Sequence, residues 1–255
     1  GASTHGTAAD RGAHAAALAR EAIRHLMVGH PTNEAAGQAY TADGQTNVTS
    51  NNWSGYADTG KSFSKVSASW KQPKASCGLG VISMAAFWVG IDGLKSSSVE
   101  QDGTMVECYL GTEYQYTWWE MYPSNSVQTV GSAVHAGDAI TASVTRSGKT
   151  YALKVTDSTH PGNSFSTKKS CSCADSSAEW VAEAPSNGVT EYPLTDFGTW
   201  HASNAAAADS AGSGRISSFS DEKITMADTA GITEASPSGL SSGGSAFSVA
   251  WKSGL

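Results

Sequence analysis

Short stretches in which apolar and polar residues alternate follow one another along the chain from residue 51 to its end. Alternation with a period of two is typical of β-strands, whose side chains point to opposite faces in turn. Gly, Pro, Ser or Asp bounds each stretch, and these residues favour turns. The pattern predicts an all-β domain, built as a β-sandwich or jelly roll. The predicted strands are NNWSGYAD, FSKVSASWKQP, ISMAAFWVGID, YTWWEMYP, AITASVTRSGKTYALKVTD, AEWVAEAP, KITMAD and AFSVAWK, the fifth a hairpin that turns at Ser147 and Gly148.

The N-terminal part of the chain has a different period. Residues 8–28 carry Ala15, Leu18, Ala22 and Leu26 at helical spacing, and Gly29 follows them. This spacing predicts one amphipathic helix, which is too short to be stable alone. We therefore expect residues 1–50 to be an N-terminal helical extension that packs on the main body, or the remnant of a pro-segment. Residues 51–255 are expected to form the β-sandwich domain.

Composition excludes several classes of protein. The chain has 255 residues, of which 15% are charged, and a formal net charge of −7. An acidic, weakly charged chain lacks the basic surface of a nucleic-acid-binding protein. No apolar run reaches the length of about 20 residues that a membrane span needs. The Ser/Thr-rich composition with eight Trp and eight Tyr favours a secreted protein, and if the protein is exported, its leader has already been removed. We also expect a monomer.

The four cysteines lack the paired spacing of a zinc ribbon. They are Cys77, Cys108, Cys171 and Cys173. Their even number favours two disulfides, for which three connectivities are possible. The connectivity that joins Cys171 to Cys173 is expected to be the most strained, because a single residue separates them.

Strand parity brings polar and aromatic side chains to shared faces. In AEWVAE, Glu179 and Glu183 share a face, and a carboxylate on a packed strand is costly unless it is hydrogen-bonded, solvated or used. In VEQDGT, Gln101 lies on the face opposite to Glu100 and Asp102. Mixed faces of this kind can line a cleft on one sheet. The other residues placed on such faces are Trp88 with Asp92, and Trp118 with Glu120 and Tyr122.

An ordered series of motifs over residues 50–255 resembles the glutamic peptidases, the eqolisin family. The series is SNNWSGY, VSASW, FWVGIDG, VEQDGT, WWEMYP and AEWVAE, of which WVGIDG and the E-x-x-x-E strand are the most specific. The resemblance implies two antiparallel sheets in a concanavalin A-like β-sandwich. It also implies cleavage of peptide bonds in acid, with protein or peptide substrates and without a metal or cofactor.

The resemblance also assigns roles to residues of this chain. By position in the motifs, Gln101 is similar to the family's catalytic glutamine and Glu183 to its catalytic glutamate. A carboxylate can take a proton from water and later give it to the departing amine. An amide can position that water and donate to the oxyanion, and it stays uncharged in acid. The implied substrate-binding residues are Trp88, Asp92, Trp118, Glu120 and Tyr122, and the expected activity peaks at acidic pH.

Two other classes of function fit a β-sandwich. In a carbohydrate-active enzyme, two carboxylates lie roughly 5 to 9.5 Å apart. Glu179 and Glu183 are too distant, at about 13 Å along a strand, whereas Glu100 and Asp102 would be about 6.6 Å apart. This second pair needs the face opposite to Gln101. A non-catalytic binding module would instead use Trp88, Trp118 and Tyr122 as stacking platforms for sugar or peptide.

Other motifs are weak. GLSSG at 239–243 fits a serine-nucleophile pattern, but it lies in a Ser/Gly-rich stretch without a strand-to-helix context. The seven histidines are scattered without a recognised zinc motif, so the sequence predicts no zinc enzyme. Asn47 and Asn52 each begin a glycosylation sequon.

Overall fold

The computed structural model describes residues 40–42, 45–80 and 82–254. These residues form 17 β-strands and two short 3-10 helices, at Pro161–Asn163 and Ile216–Ser218, and no α-helix is found among them. The helix predicted at residues 8–28 lies outside the described residues. The strands are β1 (Tyr40–Ala42), β2 (Gln45–Ser50), β3 (Trp53–Thr59), β4 (Lys65–Lys71), β5 (Ser83–Ile91), β6 (Val99–Tyr109), β7 (Thr112–Tyr122), β8 (Asn125–Thr129), β9 (Ala139–Ser147), β10 (Thr150–Asp157), β11 (Phe165–Ser170), β12 (Ser177–Glu183), β13 (Thr199–Asp209), β14 (Gly212–Gly214), β15 (Ser220–Ala227), β16 (Thr233–Pro237) and β17 (Phe247–Trp251).

The prediction of an all-β chain is confirmed for the described residues. Each predicted strand is present, and β9 and β10 form the predicted hairpin, in which Ser147 pairs with Thr150. Gly148 provides the positive φ of 61° that this two-residue turn requires. Among the strands of the described residues, pairing is antiparallel except between β2 and β15, which run parallel, and one isolated bridge, between Met84 and Leu194, is also parallel.

All 17 strands belong to one hydrogen-bonded network with two long runs of neighbours. The first run has the order β8-β7-β6-β5-β12-β3-β15, and the second has the order β11-β10-β9-β4-β13. Strand β13 joins the two runs, because it also pairs with β17, which continues through β16 to β15. The first run carries the motif series with the exception of VSASW, which lies in β4 of the second run.

The first run has an apolar cluster on each face. On one face, Phe87 and Trp180 pack with side chains of the second run such as Val144 and Leu153. The Trp180 indole Nε1 donates a hydrogen bond of 2.9 Å to the Ser67 carbonyl of β4, so strands of the two runs contact each other here. The opposite face carries a separate cluster built around Trp53, Trp88, Trp118 and Val181.

Both predicted disulfides are present. Cys77 is bonded to Cys108 at the end of β6, and Cys171 is bonded to Cys173 between β11 and β12. The connectivity is therefore the one in which the second bond spans a single residue. No cysteine is left free in the part of the chain that the structure describes.

Strands β1 and β2 precede residue 51, where the sequence analysis placed the start of the β-domain. They pair with each other, and β2 also pairs with β15. In the described ranges there is no helix long and apolar enough to cross a membrane.

Candidate active site

One face of the first run carries the polar groups that strand parity brought together. Gln101 lies opposite Gly90 of β5 on one side and opposite Glu120 of β7 on the other. Its amide Nε2 donates a hydrogen bond of 2.8 Å to Oε2 of Glu120. Both side chains are buried, and the hydrogen bond fixes the orientation of the Gln101 amide.

Glu183 lies at the end of β12 on the same face, since Glu183 pairs with Ala86 and Glu179 pairs with Gly90. Its two carboxylate oxygens accept hydrogen bonds from different donors. The Trp88 indole Nε1 donates to Oε2 at 2.9 Å, and the Asn52 amide donates to Oε1 at 3.3 Å. Neutral donors that hold both oxygens of a buried carboxylate offset part of the cost of its desolvation.

The Trp88 indole lies between the two candidate catalytic groups. A Cβ atom added to Gly90 would be 2.8 Å from Cζ3 of Trp88 and 3.3 Å from Cβ of Gln101. The six-membered ring therefore lies over Gly90, next to Gln101, while Nε1 of the same indole contacts Glu183. Trp53 packs against this ring edge-on, with centroids 5.0 Å apart. Glycine at position 90 leaves the room that this placement of Trp88 needs.

The register of β6 and β12 with β5 sets the spacing of Gln101 and Glu183. Gln101 lies opposite Gly90, and Glu183 lies opposite Ala86 four residues away on β5, with Trp88 midway. A four-residue offset corresponds to about 13 Å between backbone positions along the strand direction. The two groups thus flank a site over Trp88, and they face it from strands on either side of β5. A bound peptide that crosses Trp88 would lie between them.

The remaining predicted site residues occupy different positions. Trp118 is buried on the same face, opposite Gly103, while Tyr122 is half-buried at the end of β7. Asp92 follows the last residue of β5, and its carboxylate accepts hydrogen bonds from the backbone N–H groups of Asp175 and Ser176, both 2.8 Å long. It also accepts one from the Ser176 hydroxyl. Asp92 therefore fixes the segment that leads into β12.

Glu179 is buried, not solvated. It shares the face of Glu183, is fully buried, and lies opposite Gly90. Burial raises the pKa of Glu179 well above its usual value, and the nearby charges of Asp92, Glu100 and Asp58 raise it further. Its carboxyl group is accordingly neutral in acid.

The carboxylates that the carbohydrate-active alternative requires lie on the other face. Asp102 accepts a hydrogen bond from the backbone N–H of Lys154 in β10, between the two runs of strands. Burial raises the pKa of Asp102, although hydrogen bonds from Lys154 and Ser143 oppose that shift. Burial also raises the pKa of Glu100 to about 9, with the charge of Asp92 adding to the effect. Glu100 and Asp102 therefore lie on the face of β6 opposite to Gln101.

The family model described as "Peptidase A4 family" matches residues 51–246 of the chain. The chain belongs to the peptidase A4 family. This finding confirms the resemblance to the glutamic peptidases that the motif series indicated.

Two curated proteins are similar to this peptidase A4 chain. Aspergillopepsin-2 of Aspergillus niger is 26% identical over 181 residues, which are 62% of this chain and 64% of that protein. Scytalidopepsin B of Scytalidium lignicola is 34% identical over 137 residues, 52% of this chain and 51% of that protein. The matches span between about half and two thirds of the length of these relatives.

Solved structures of such peptidases share the fold. Scytalido-glutamic peptidase with a peptide-based transition state analogue aligns with a TM-score of 0.66 at 22% identity, over 79% of this chain and 98% of that one. Aspergilloglutamic peptidase from Aspergillus niger aligns with a TM-score of 0.57 at 23% identity, over 67% of this chain and 99% of that one.

Sequence reasoning missed Asn52 of this peptidase A4 chain. It lies in the SNNWSGY motif and begins a glycosylation sequon, but neither signal gave it a role in the site; the side chain is buried and its amide contacts Glu183. The residues are 131 positions apart, so only the pairing of β3 with β12 brings them together. The sequon at Asn52 is consequently shielded in the folded chain.

Proposed function

We propose that this protein is an acid endopeptidase that uses Glu183 and Gln101 as its catalytic pair. The observation that supports it best is the Glu183 carboxylate, held by Trp88 and Asn52 on the face that also carries Gln101. Membership of the peptidase A4 family favours the same activity. A related scytalido-glutamic peptidase has been solved with a peptide-based transition state analogue, which supports protein or peptide substrates for this chain.

The first chemical step forms a tetrahedral intermediate. Glu183 accepts a proton from a water molecule, whose oxygen then bonds to the carbon of the scissile carbonyl. Gln101 positions this water, and its NH₂ group donates a hydrogen bond to the oxyanion that develops on the former carbonyl oxygen. Because Glu120 accepts a hydrogen bond from Gln101, the amide is already oriented when substrate arrives.

The second step breaks the peptide bond. The protonated Glu183 gives its proton to the departing nitrogen, the C–N bond breaks, and the oxyanion collapses to a carboxyl group. Glu183 returns to its ionised state, so no net proton remains on the enzyme. We infer that Trp88, Trp118, Glu120 and Tyr122 line the substrate cleft, and that Asp92 supports it by holding the segment before β12.

Further proposals concern the whole molecule. We infer that the two runs of strands form a two-sheet β-sandwich, because Trp180 and Asp102 of the first run bond to Ser67 and Lys154 of the second. Residues 51–255 are then the peptidase domain, and β1 and β2 of the extension at residues 1–50 add to its strand network. We also propose a secreted monomer that needs no cofactor.

Digestion of a denatured protein tests the proposed function. We expect the native protein to cut internal peptide bonds near pH 4, and Gln101→Ala to lower kcat by about 10² to 10³-fold, the usual effect of losing an oxyanion donor. Peptide products are identified by mass spectrometry. Hydrolysis of oligosaccharides without peptide cleavage would favour the carbohydrate-active alternative and contradict the proposal, as would maximal activity at neutral pH.

Trp88→Phe should lower kcat and should change KM to a smaller extent. The substitution keeps an aromatic ring but removes the donor to Oε2 of Glu183, an interaction with a charged group that contributes about 1.5 to 3 kcal/mol. We expect a loss of about tenfold to a hundredfold. The acid limb of the pH–rate profile should move to higher pH, since a carboxylate that has lost a donor ionises less readily.

Trp200→Phe is the matched control for Trp88→Phe. Trp200 is equally buried, but its indole N–H has no hydrogen-bond partner among the described residues and it packs on the other face. Its replacement should leave the pH–rate profile in place. Equal shifts in both variants would mean that loss of packing, not of the hydrogen bond, causes the effect.

A further inference from the structure

Two histidines and an aspartate meet at one end of the β9–β10 hairpin, away from the candidate active site. Asp138 immediately precedes β9, and His160 follows β10 by three residues. Because Asp157 pairs with Ile140 at this end of the hairpin, the loops before β9 and after β10 lie side by side. His135 belongs to the loop before β9.

The donor atoms of the three side chains converge. Nδ1 of His160 is 2.9 Å from both carboxylate oxygens of Asp138, and Nδ1 of His135 is 4.0 Å from Oδ2 of Asp138. The two imidazole rings have centroids 4.9 Å apart. One ligand atom from each of the three residues can be chosen so that all lie within 4.8 Å of one another.

The carboxylate of this cluster is fixed in place. Asp138 is 2% exposed, and its Oδ2 accepts a hydrogen bond of 2.8 Å from the backbone N–H of His135. Asp157 accepts hydrogen bonds from the backbone N–H groups of Thr159 and His160, which orders the turn that carries His160. The side chains of His135 and His160 are 64% and 49% exposed, so their outer edges face solvent.

We propose that His135, Asp138 and His160 bind a divalent transition-metal ion such as Zn²⁺. Two imidazole nitrogens and one carboxylate oxygen are a ligand set that suits zinc, with water in the remaining positions. A groove lined by residues 130–133 and 159–163 adjoins His160 and leaves space for that water. The ion would join the two loops at this end of the hairpin.

The same three groups form a hydrogen-bonded cluster when no ion is bound. Nδ1–H of His160 then donates a hydrogen bond to Asp138, whereas binding of the ion at Nδ1 requires that the ring proton reside on Nε2. This change of tautomer needs no movement of the backbone. The proposal does not depend on peptidase activity, because none of the three residues belongs to the catalytic face.

Calorimetric titration of the full chain with ZnCl₂ near pH 7.5 tests the site directly. We expect one zinc-binding event that His160→Ala and His135→Ala each weaken by about tenfold or more. His201→Ala, which removes an exposed histidine of β13, should leave it unchanged. Any zinc bound by histidines before residue 40 would remain in every variant as a separate event.

Unfolding experiments add a readout that is independent of calorimetry. Zinc should raise the Tm of the native protein, since an ion that binds only the folded state stabilises it, and should not raise the Tm of His160→Ala. Without zinc, His135→Ala should unfold like the native protein, whereas His160→Ala should unfold at a lower temperature because it loses the hydrogen bond to Asp138. Zinc isotherms that are identical in the native protein and in both variants, or no zinc binding by the native protein, would overturn the proposal and leave only a hydrogen-bonded cluster.

Discussion

Glu183→Gln is expected to lower kcat for peptide cleavage by about 10⁴-fold, with little change in KM. The substitution keeps the size of the side chain, and its single amide oxygen can accept a hydrogen bond from one of the two donors, Trp88 or Asn52, which bond to different oxygens of Glu183. It removes the function that an amide cannot perform, which is to accept a proton from water and return it to the leaving amine. Steady-state kinetics on a peptide substrate at acidic pH measure the loss.

Glu179→Gln provides the matched control for Glu183→Gln. Glu179 lies on the same strand and the same face, is equally buried, and is neutral in acid because burial raises its pKa. An uncharged glutamine at this position therefore resembles the protonated carboxyl group of Glu179, and the variant should keep most of the native activity. The assignment of Glu183 would be wrong if its variant stayed active, or if both variants lost activity equally.

The free energy of unfolding is expected to fall steeply as the pH rises from about 5 to about 8. Burial raises the pKa of Asp58 to about 9, with the charge of Asp221 adding to the shift, and burial raises the pKa of Glu107 to about 8. Glu100 behaves in the same way, with a pKa of about 9. In the unfolded chain, these groups ionise near pH 4.

The loss of stability with rising pH follows from the difference in proton binding between the folded and unfolded chains. Between pH 4 and these raised pKa values, the unfolded chain releases protons that the folded protein keeps, so rising pH favours unfolding. The full contribution to stability is present below about pH 4. Each group can remove up to about 1.4 kcal/mol per pH unit. Over three units, a single group removes about 4 kcal/mol, a large part of the stability of a typical domain.

Urea denaturation at a series of pH values measures this decline. Asp58→Asn should flatten the fall of the midpoint and raise it at neutral pH, because Asp58 is buried and its carboxyl oxygens have no hydrogen-bond partner within the described residues. Glu191→Gln changes an exposed carboxylate whose charge adds to the raised pKa of Glu234, so it should flatten the fall much less than Asp58→Asn does. A midpoint that does not depend on pH, or an equally steep fall in Asp58→Asn, would contradict the prediction.

Local periodicity was enough to predict most of the strands and the shared face of the site. Parity placed Gln101 away from Glu100 and Asp102, and Glu120 beside Trp118, as the register confirms. Strand β13 was missed because its sequence, TWHASNAAAAD, contains five Ala together with Asn and Asp, residues that have low β-propensity. Pairing with β4 and β17 imposes the strand there.

Contacts between distant parts of the chain could not be predicted in this way. The hydrogen bond from Asn52 to Glu183 and the cluster of Asp138 with His160 depend on which strands are neighbours. Period-two patterns say which face a residue occupies, but they do not give strand order or register. Burial of Glu179 likewise depends on the packing of the whole face and not on its own strand.

The most direct test of the central claim is a crystal structure of this protein with a peptide-based analogue of the tetrahedral intermediate. The analogue should lie over Trp88, with its tetrahedral oxygens about 2.7 to 3.1 Å from the Glu183 carboxylate and from the Gln101 amide nitrogen. Such contacts would show that both groups act on one carbon atom. An analogue bound on another face, or one that reaches only one of the two side chains, would contradict the account.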